Sequence, residues 1–194
     1  MAEWPDLPVT VDTVKAPVAE AALEAGAAAV NDVSGLRLDP RIGRVCADAG
    51  AGLVLMHSRG TVERMARYET AVYGPDVVGE VVDELREAVD RALEAGVERR
   101  AIVVDPGLGF SKRTPDSVAV LRQLRRVADL GFPVLVGPSR KRFLGELAGG
   151  LDAEDRLPGT IAACVAALAA GARIFRVHDV AAARHALAVA EAVT

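Results

Sequence analysis

Glycines punctuate this chain at a regular interval. Gly26, Gly50, Gly96, Gly131 and Gly171 each close a helical pattern, and each stands just before a short apolar run. A glycine in that place takes the left-handed conformation that ends a helix without a Cβ clash. The runs they introduce are 28–30, 52–55, 101–104, 133–136 and 173–177, and a sixth run, 8–11, precedes the first helical pattern. Most are continuously apolar rather than alternating, the pattern of strands covered on both faces. The clearest helix is predicted over 76–95. Val77, Val78, Val81, Val82, Leu85, Ala88, Val89, Ala92 and Leu93 form its apolar stripe, with Glu80, Asp83, Glu84, Glu87, Asp90, Arg91 and Glu94 facing the other way. Two more helix starts are marked by a capping residue followed by proline, Asp39-Pro40 and Thr114-Pro115. The order is therefore βα, six times, at about 32 residues per unit, which makes a parallel α/β sheet. It is either doubly wound or part of a (β/α)8 barrel. A full barrel takes ~250 residues, so 194 hold six of its eight units.

Composition narrows the class. With 51% hydrophobic and 26% charged residues, the chain has enough apolar side chains for a core, which excludes a disordered tail. A net charge of -4 argues against a nucleic-acid partner. No apolar run approaches the ~18 residues of a membrane span, the longest being 161–170. The first six residues lack the basic and apolar regions of a signal peptide. Cys46 and Cys164 lie inside apolar helical patterns and read as reduced packing residues. The expectation is a single cytoplasmic domain over 1–194.

In parallel α/β folds, sites form at the carboxyl ends of strands. Each run here ends in polar residues: Asp12-Thr13, Asn31-Asp32, Met56-His57, Asp105-Pro106-Gly107, Gly137-Pro138-Ser139-Arg140-Lys141, and Arg176 with His178-Asp179. In a barrel they converge on one mouth, giving four carboxyl groups, an amide, two imidazoles and several cations. No HExxH, CxxC or GxSxG pattern occurs, so the set reads neither as a metal cluster nor as a serine nucleophile. Carboxylates with an amide suit a ligand rich in ring N–H donors, and the cations suit an anion such as phosphate. Simpler roles stand beside these. Asp12 and Asp179 also suit helix caps, Asn31 and Asp32 suit loop bonding, Met56 suits the core, Arg140 and Arg142 suit the surface, and His185 suits an exposed helix face.

Together, Val11-Asp12-Thr13, Asn31-Asp32-Val33-Ser34-Gly35, Met56-His57, Asp105-Pro106-Gly107-Leu108-Gly109-Phe110-Ser111-Lys112, Gly137-Pro138-Ser139-Arg140-Lys141 and Arg176-Val177-His178-Asp179 resemble, in order, the motifs of the dihydropteroate synthase family. The resemblance implies a TIM-type (β/α)8 barrel. It also implies the joining of 7,8-dihydropterin-6-ylmethyl diphosphate to 4-aminobenzoate, giving 7,8-dihydropteroate and diphosphate for folate synthesis. It places Asp12, Asn31 and Asp105 on the pterin ring, Met56 against its face, and Lys141 on its acceptor edge beside the aminobenzoate site. Ser139 and Phe110 fall at the aminobenzoate, Gly137 in the binding cleft, and Arg176 and His178 on the diphosphate. Asp12, Asp105 and Lys141 are the expected catalytic groups. Mg²⁺ on the diphosphate is implied, with no protein ligand assignable, and so is a homodimer through the late helices.

The sequence departs from the family at its start. The family pattern opens with two more βα units, one bearing an asparagine-containing loop and one a threonine-arginine-proline-glycine loop, and neither motif is here. The six units thus correspond to strands three to eight, an N-terminally truncated domain. A fragment, a paralogue that no longer catalyses, and a barrel closed by another chain are the three readings. Ser117 and Pro138 are milder departures. Two alternative functions stand: a non-catalytic pterin-binding protein, and a methyltetrahydrofolate-dependent methyltransferase-like pterin binder. The basic residues disfavour the methyltransferase, because methyl transfer has no diphosphate to hold.

Overall fold

The computed structural model describes residues 7–193, so the reading of the first six residues lies outside it. Its six strands are β1 (Thr10–Asp12), β2 (Ala29–Asp32), β3 (Gly52–Met56), β4 (Ile102–Asp105), β5 (Leu135–Val136) and β6 (Ile174–Phe175). The helices are α1 (Ala16–Glu24), α2 (Arg41–Ala49), α3 (Val77–Glu94), α4 (Thr114–Arg122), α5 (Arg125–Ala128), α6 (Arg142–Leu147), α7 (Leu157–Ala169) and α8 (Val180–Val193). All pairings are parallel: β1 through β4 lie side by side in chain order, and β5 pairs β6. A parallel bridge between Val104 and Val134 joins the two sheets. The result is one arc of six strands, a partial (β/α)8 barrel whose edges are β1 and β6.

The five helix-ending glycines adopt positive φ, from 61° at Gly50 to 109° at Gly171. Helix α3 buries Val78, Val81, Val82, Leu85, Ala88, Val89 and Ala92 against the sheet, as its period requires. Two of its residues depart from expectation. Leu93 is 38% exposed at the last turn, and Glu84 leans from the charged face to bond His57 and Arg59. Asp39 stands one residue before the cap position of α2, which Pro40 holds without a side-chain cap; its carboxylate accepts the backbone N–H of Arg41 and that of Ala16 at the start of α1. Thr114 does not cap α4. Arg113 holds that place, Asp116 reaches back to its N–H, and the Thr114 hydroxyl turns to Glu146.

One helix per strand holds for the first three units and fails for the fourth and fifth. Gln123 breaks the helical run between α4 and α5. Gly149 and Gly150, at φ 85° and 96°, separate α6 from α7. β5 and β6 are also shorter than the apolar runs that announce them. Pro133 has no N–H to give the ladder, and its carbonyl alone bonds Val104. Cys46 and Cys164 are buried free thiols, and burial pushes both up to about 11. Among the described residues no helix is long and apolar enough to cross a membrane.

Candidate active site

Parallel strands in register carry their last residues to one end. Asp12 pairs Asn31 across β1 and β2, and Met56 pairs Asp105 across β3 and β4. These four line one cleft of about 60 Å³ with Phe110, Gly137, Lys141 and Arg176. The Asn31 Nδ2 donates to Asp12 Oδ1 at 2.9 Å, which fixes the amide's orientation. Its Oδ1 is then a buried acceptor with no partner. Such an atom costs stability unless a ligand or water supplies a donor.

Asp105 is 5% exposed, and its Oδ1 accepts the Gly107 N–H at 2.7 Å. Burial drives its carboxyl up to about 6, opposed by that N–H and by the Lys112, Lys141 and Arg176 cations. Gly107 has φ 66°, and a Cβ there would lie 2.1 Å from the His57 carbonyl oxygen, so only glycine fits the turn after β4. Met56, 3% exposed, supplies an apolar wall. The Lys141 ammonium lies 3.4 Å over the Phe110 ring, and burial lowers it to about 8.

The turn that delivers Lys141 is strained. Arg140 has φ 56°, a conformation costly for a residue with a side chain. It is held from three sides: its N–H donates to Thr160, its carbonyl accepts from Arg156, and its guanidinium forks onto Asp179. Beyond it, Gly137, Ser139, Lys141, Arg176 and His178 line a cavity of about 690 Å³, which shares Gly137, Lys141 and Arg176 with the cleft. Ser139 Oγ accepts the His178 N–H and lies 2.8 Å from its Nδ1. Arg176 Nη2 donates to Asp12 Oδ2 at 2.8 Å, linking the ends of β6 and β1.

All ten expected site residues thus fall in the cleft or the adjoining cavity. Three other strand-end groups, His57, Asp32 and Asp179, line neither. His57 turns away from the mouth and is 4% exposed between Glu84 and Lys112. Asp32 caps its own loop at Ser34 and Leu36, and Asp179 pairs Arg140. Only two carboxylates and one imidazole therefore serve the mouth. Lys112, Glu84 and Arg59 form a network that the sequence reading missed. Lys112 stood within a recognised motif, but nothing in the sequence marks a lysine for burial. No three His, Cys, Asp or Glu side chains among the described residues are arranged to hold a metal ion.

The geometry defines a class: a parallel α/β barrel with an acceptor-lined cleft next to a basic cavity. The pterin-binding enzyme family model matches residues 1–178. The chain belongs to that family, and the relatives it matches include proteins named dihydropteroate synthases. It is 47% identical to the dihydropteroate synthase of Mycobacterium leprae over 93% of its own length and 65% of that protein's. It is 42% identical to the inactive dihydropteroate synthase 2 of Mycobacterium tuberculosis, covering 95% of this chain and 58% of that one. The Xanthomonas albilineans dihydropteroate synthase in complex with 7,8-dihydropteroate superposes with a TM-score of 0.89 at 43% identity, over 99% of this chain and 69% of that chain. The chain spans less than two thirds of the length of the two mycobacterial relatives.

Proposed function

We propose that this chain carries the site that condenses 7,8-dihydropterin-6-ylmethyl diphosphate with 4-aminobenzoate. The observation that carries the reading is the orphaned Asn31 Oδ1, buried beside Asp12 in a cleft that also holds Asp105. Three acceptor groups converge there: the Asn31 Oδ1 has no donor, and Asp12 and Asp105 keep lone pairs beyond those that Asn31, Arg176 and Gly107 engage, so the array suits the ring and amino N–H groups of a pterin. Met56 packs on the ring face. Ring donors taking over Asp12 release Arg176, which with His178 then holds the diphosphate. The aminobenzoate lies against Phe110, Lys141 and Ser139.

In the reaction the arylamine lone pair forms the C–N bond to the pterin methylene. The C–O bond breaks with its electron pair leaving on diphosphate, and the nitrogen sheds its proton to solvent. Asp105 and Asp12 stabilise the positive charge that spreads into the pterin, while Arg176 and His178 stabilise the leaving anion. The basic cavity offers Ser139, Lys141, Arg176 and His178, which do not fit Mg²⁺ as a ligand set, so no step here runs through that ion.

Incubating the pure chain with both substrates tests the reading through formation of 7,8-dihydropteroate, with calorimetry of pterin binding alongside. Product and binding together support it, and absence of both removes it. A second reading, a pterin binder without turnover, is favoured by the 42% identity to the M. tuberculosis relative named inactive. Binding without product selects that one. We further infer a homodimer through the late helices, supported by an apolar groove between α4, α6 and α7 with Leu147 62% exposed, and tested by light scattering. A cytoplasmic location is supported by the two buried free thiols.

A further inference from the structure

Lys112 is among the largest fully buried side chains of the described residues, 1% exposed, and the chemistry above gives it no part. Its ammonium has three protons and three acceptors: His57 Nδ1 at 2.8 Å, Phe110 O at 3.1 Å and Gly107 O at 3.3 Å. No carboxylate bonds it directly. His57 Nδ1 must accept, so its Nε2–H donates to Glu84 Oε2 at 3.0 Å, and the ring is neutral. Burial and the Lys112 cation agree with that, lowering His57 to about 4. Glu84 is fixed in turn by Arg59, which also bonds Glu80 and stacks 4.0 Å over Tyr73.

The carbonyls that Lys112 binds belong to the turn that builds the cleft. Gly107 gives its N–H to Asp105, and Phe110 carries the ring under Lys141. Ser111, just before Lys112, is held at φ 47°, and its hydroxyl bonds the Arg59 backbone. A strained residue braced from outside thus aims the lysine inward.

We propose that Lys112 is a positioning residue: its buried ammonium, oriented by His57 and Glu84, holds the 107–110 turn and keeps Asp105 ionised for the pterin. The purpose of this device rests on the pterin reading of the cleft, while its electrostatics do not. The charged groups acting on Asp105 are Lys112, Lys141 and Arg176; those acting on Lys112 are Asp105, Glu84, Arg59 and Asp116. Burial lowers Lys112 to about 7 and raises Asp105 to about 6, and each charge opposes the shift of the other. Loss of the cation therefore raises Asp105 further. A protonated Asp105 accepts pterin N–H bonds poorly, so binding then requires higher pH.

The test is a ¹³C-carboxyl NMR titration of Asp105 in the ligand-free wild type, Lys112→Met and Glu84→Gln. Thermal unfolding and calorimetry of dihydropterin diphosphate binding at several pH values accompany it. In K112M the Asp105 midpoint is expected to rise by about one unit or more, and pterin affinity at pH 7 to fall about tenfold and recover at higher pH. E84Q removes an anion that favours the charged lysine, and gives a smaller shift in the same direction. A lowered melting temperature with the midpoint unmoved in both variants makes Lys112 a structural plug and overturns the proposal. If K112M does not fold, the E84Q midpoint alone decides. A moved midpoint in a wild type that binds no pterin keeps this inference and removes the functional reading.

Discussion

Asp105 titrates at about 6 in the folded chain against an ordinary 3.8. A raised folded value means that the stability it gives is full below pH 3.8 and is lost as pH rises through about 6. Above that pH an ionised Asp105 opposes folding by up to about 3 kcal/mol. Asp105→Asn is therefore expected to melt higher than wild type at pH 8, with the difference shrinking at pH 5, while pterin binding collapses. Paired melts at the two pH values and one binding titration check this. Arg176→Gln is expected to weaken the diphosphate-bearing pterin about tenfold and a pterin without diphosphate far less, with the difference fading at high salt. Calorimetry of the two ligands measures it. Asp12, Asn31 and Asp105 were legible as site residues because each ends an apolar parallel strand and stands in a motif that resembles the family's. The roles of His57 and Lys112 were not, because their burial depends on what Glu84 of α3 and the turn after β4 bring to them.

Helix α3 shows what an element owes to local pattern and what it owes to its neighbours. Its stripe packs where the 3.6-residue period places it, and Leu85 is 1% exposed. Leu85→Ala is expected to cost about 2–5 kcal/mol through lost burial and the cavity left behind. At its start, Asp76 accepts the Gly79 N–H at 2.9 Å and forks onto Arg126. Asp76→Ala is expected to cost about 1 kcal/mol, most of it from the lost cap, since the exposed ion pair is screened by water. Urea denaturation of both variants ranks them. Glu84 is the contrast. On the helix wheel it belongs to the solvated face, and only the packing of the segment after β3 turns it toward His57 and Arg59. Two helices in place of one after β4 and after β5 were likewise unexpected: Gln123 carries no breaker signal, whereas the Gly149-Gly150 pair was a local signal that the strand count passed over.

Across the whole molecule the sheet is an arc whose two edges face each other. β1 pairs only β2, and β6 only β5, among the described residues. The Asp12–Arg176 ion pair spans them at the mouth, with side chains 46% and 66% exposed, and adds at most about 1 kcal/mol. Amide hydrogen exchange is expected to be slowest in β2, β3 and β4 and fastest, among strands, in β1 and β6. Equal protection across all six strands would mean that something covers the edges in solution. The order of βα units, the parallel sheet and the strand-end position of the site were determined by sequence alone, because hydrophobic period, glycine stops and chain connectivity are local properties. Tertiary structure alone decided which strand-end groups face the mouth and which turn away. It also decided how a lysine is buried and how far Asp105 is shifted. Those depend on desolvation and on charges from segments far apart in the chain, which no local pattern encodes.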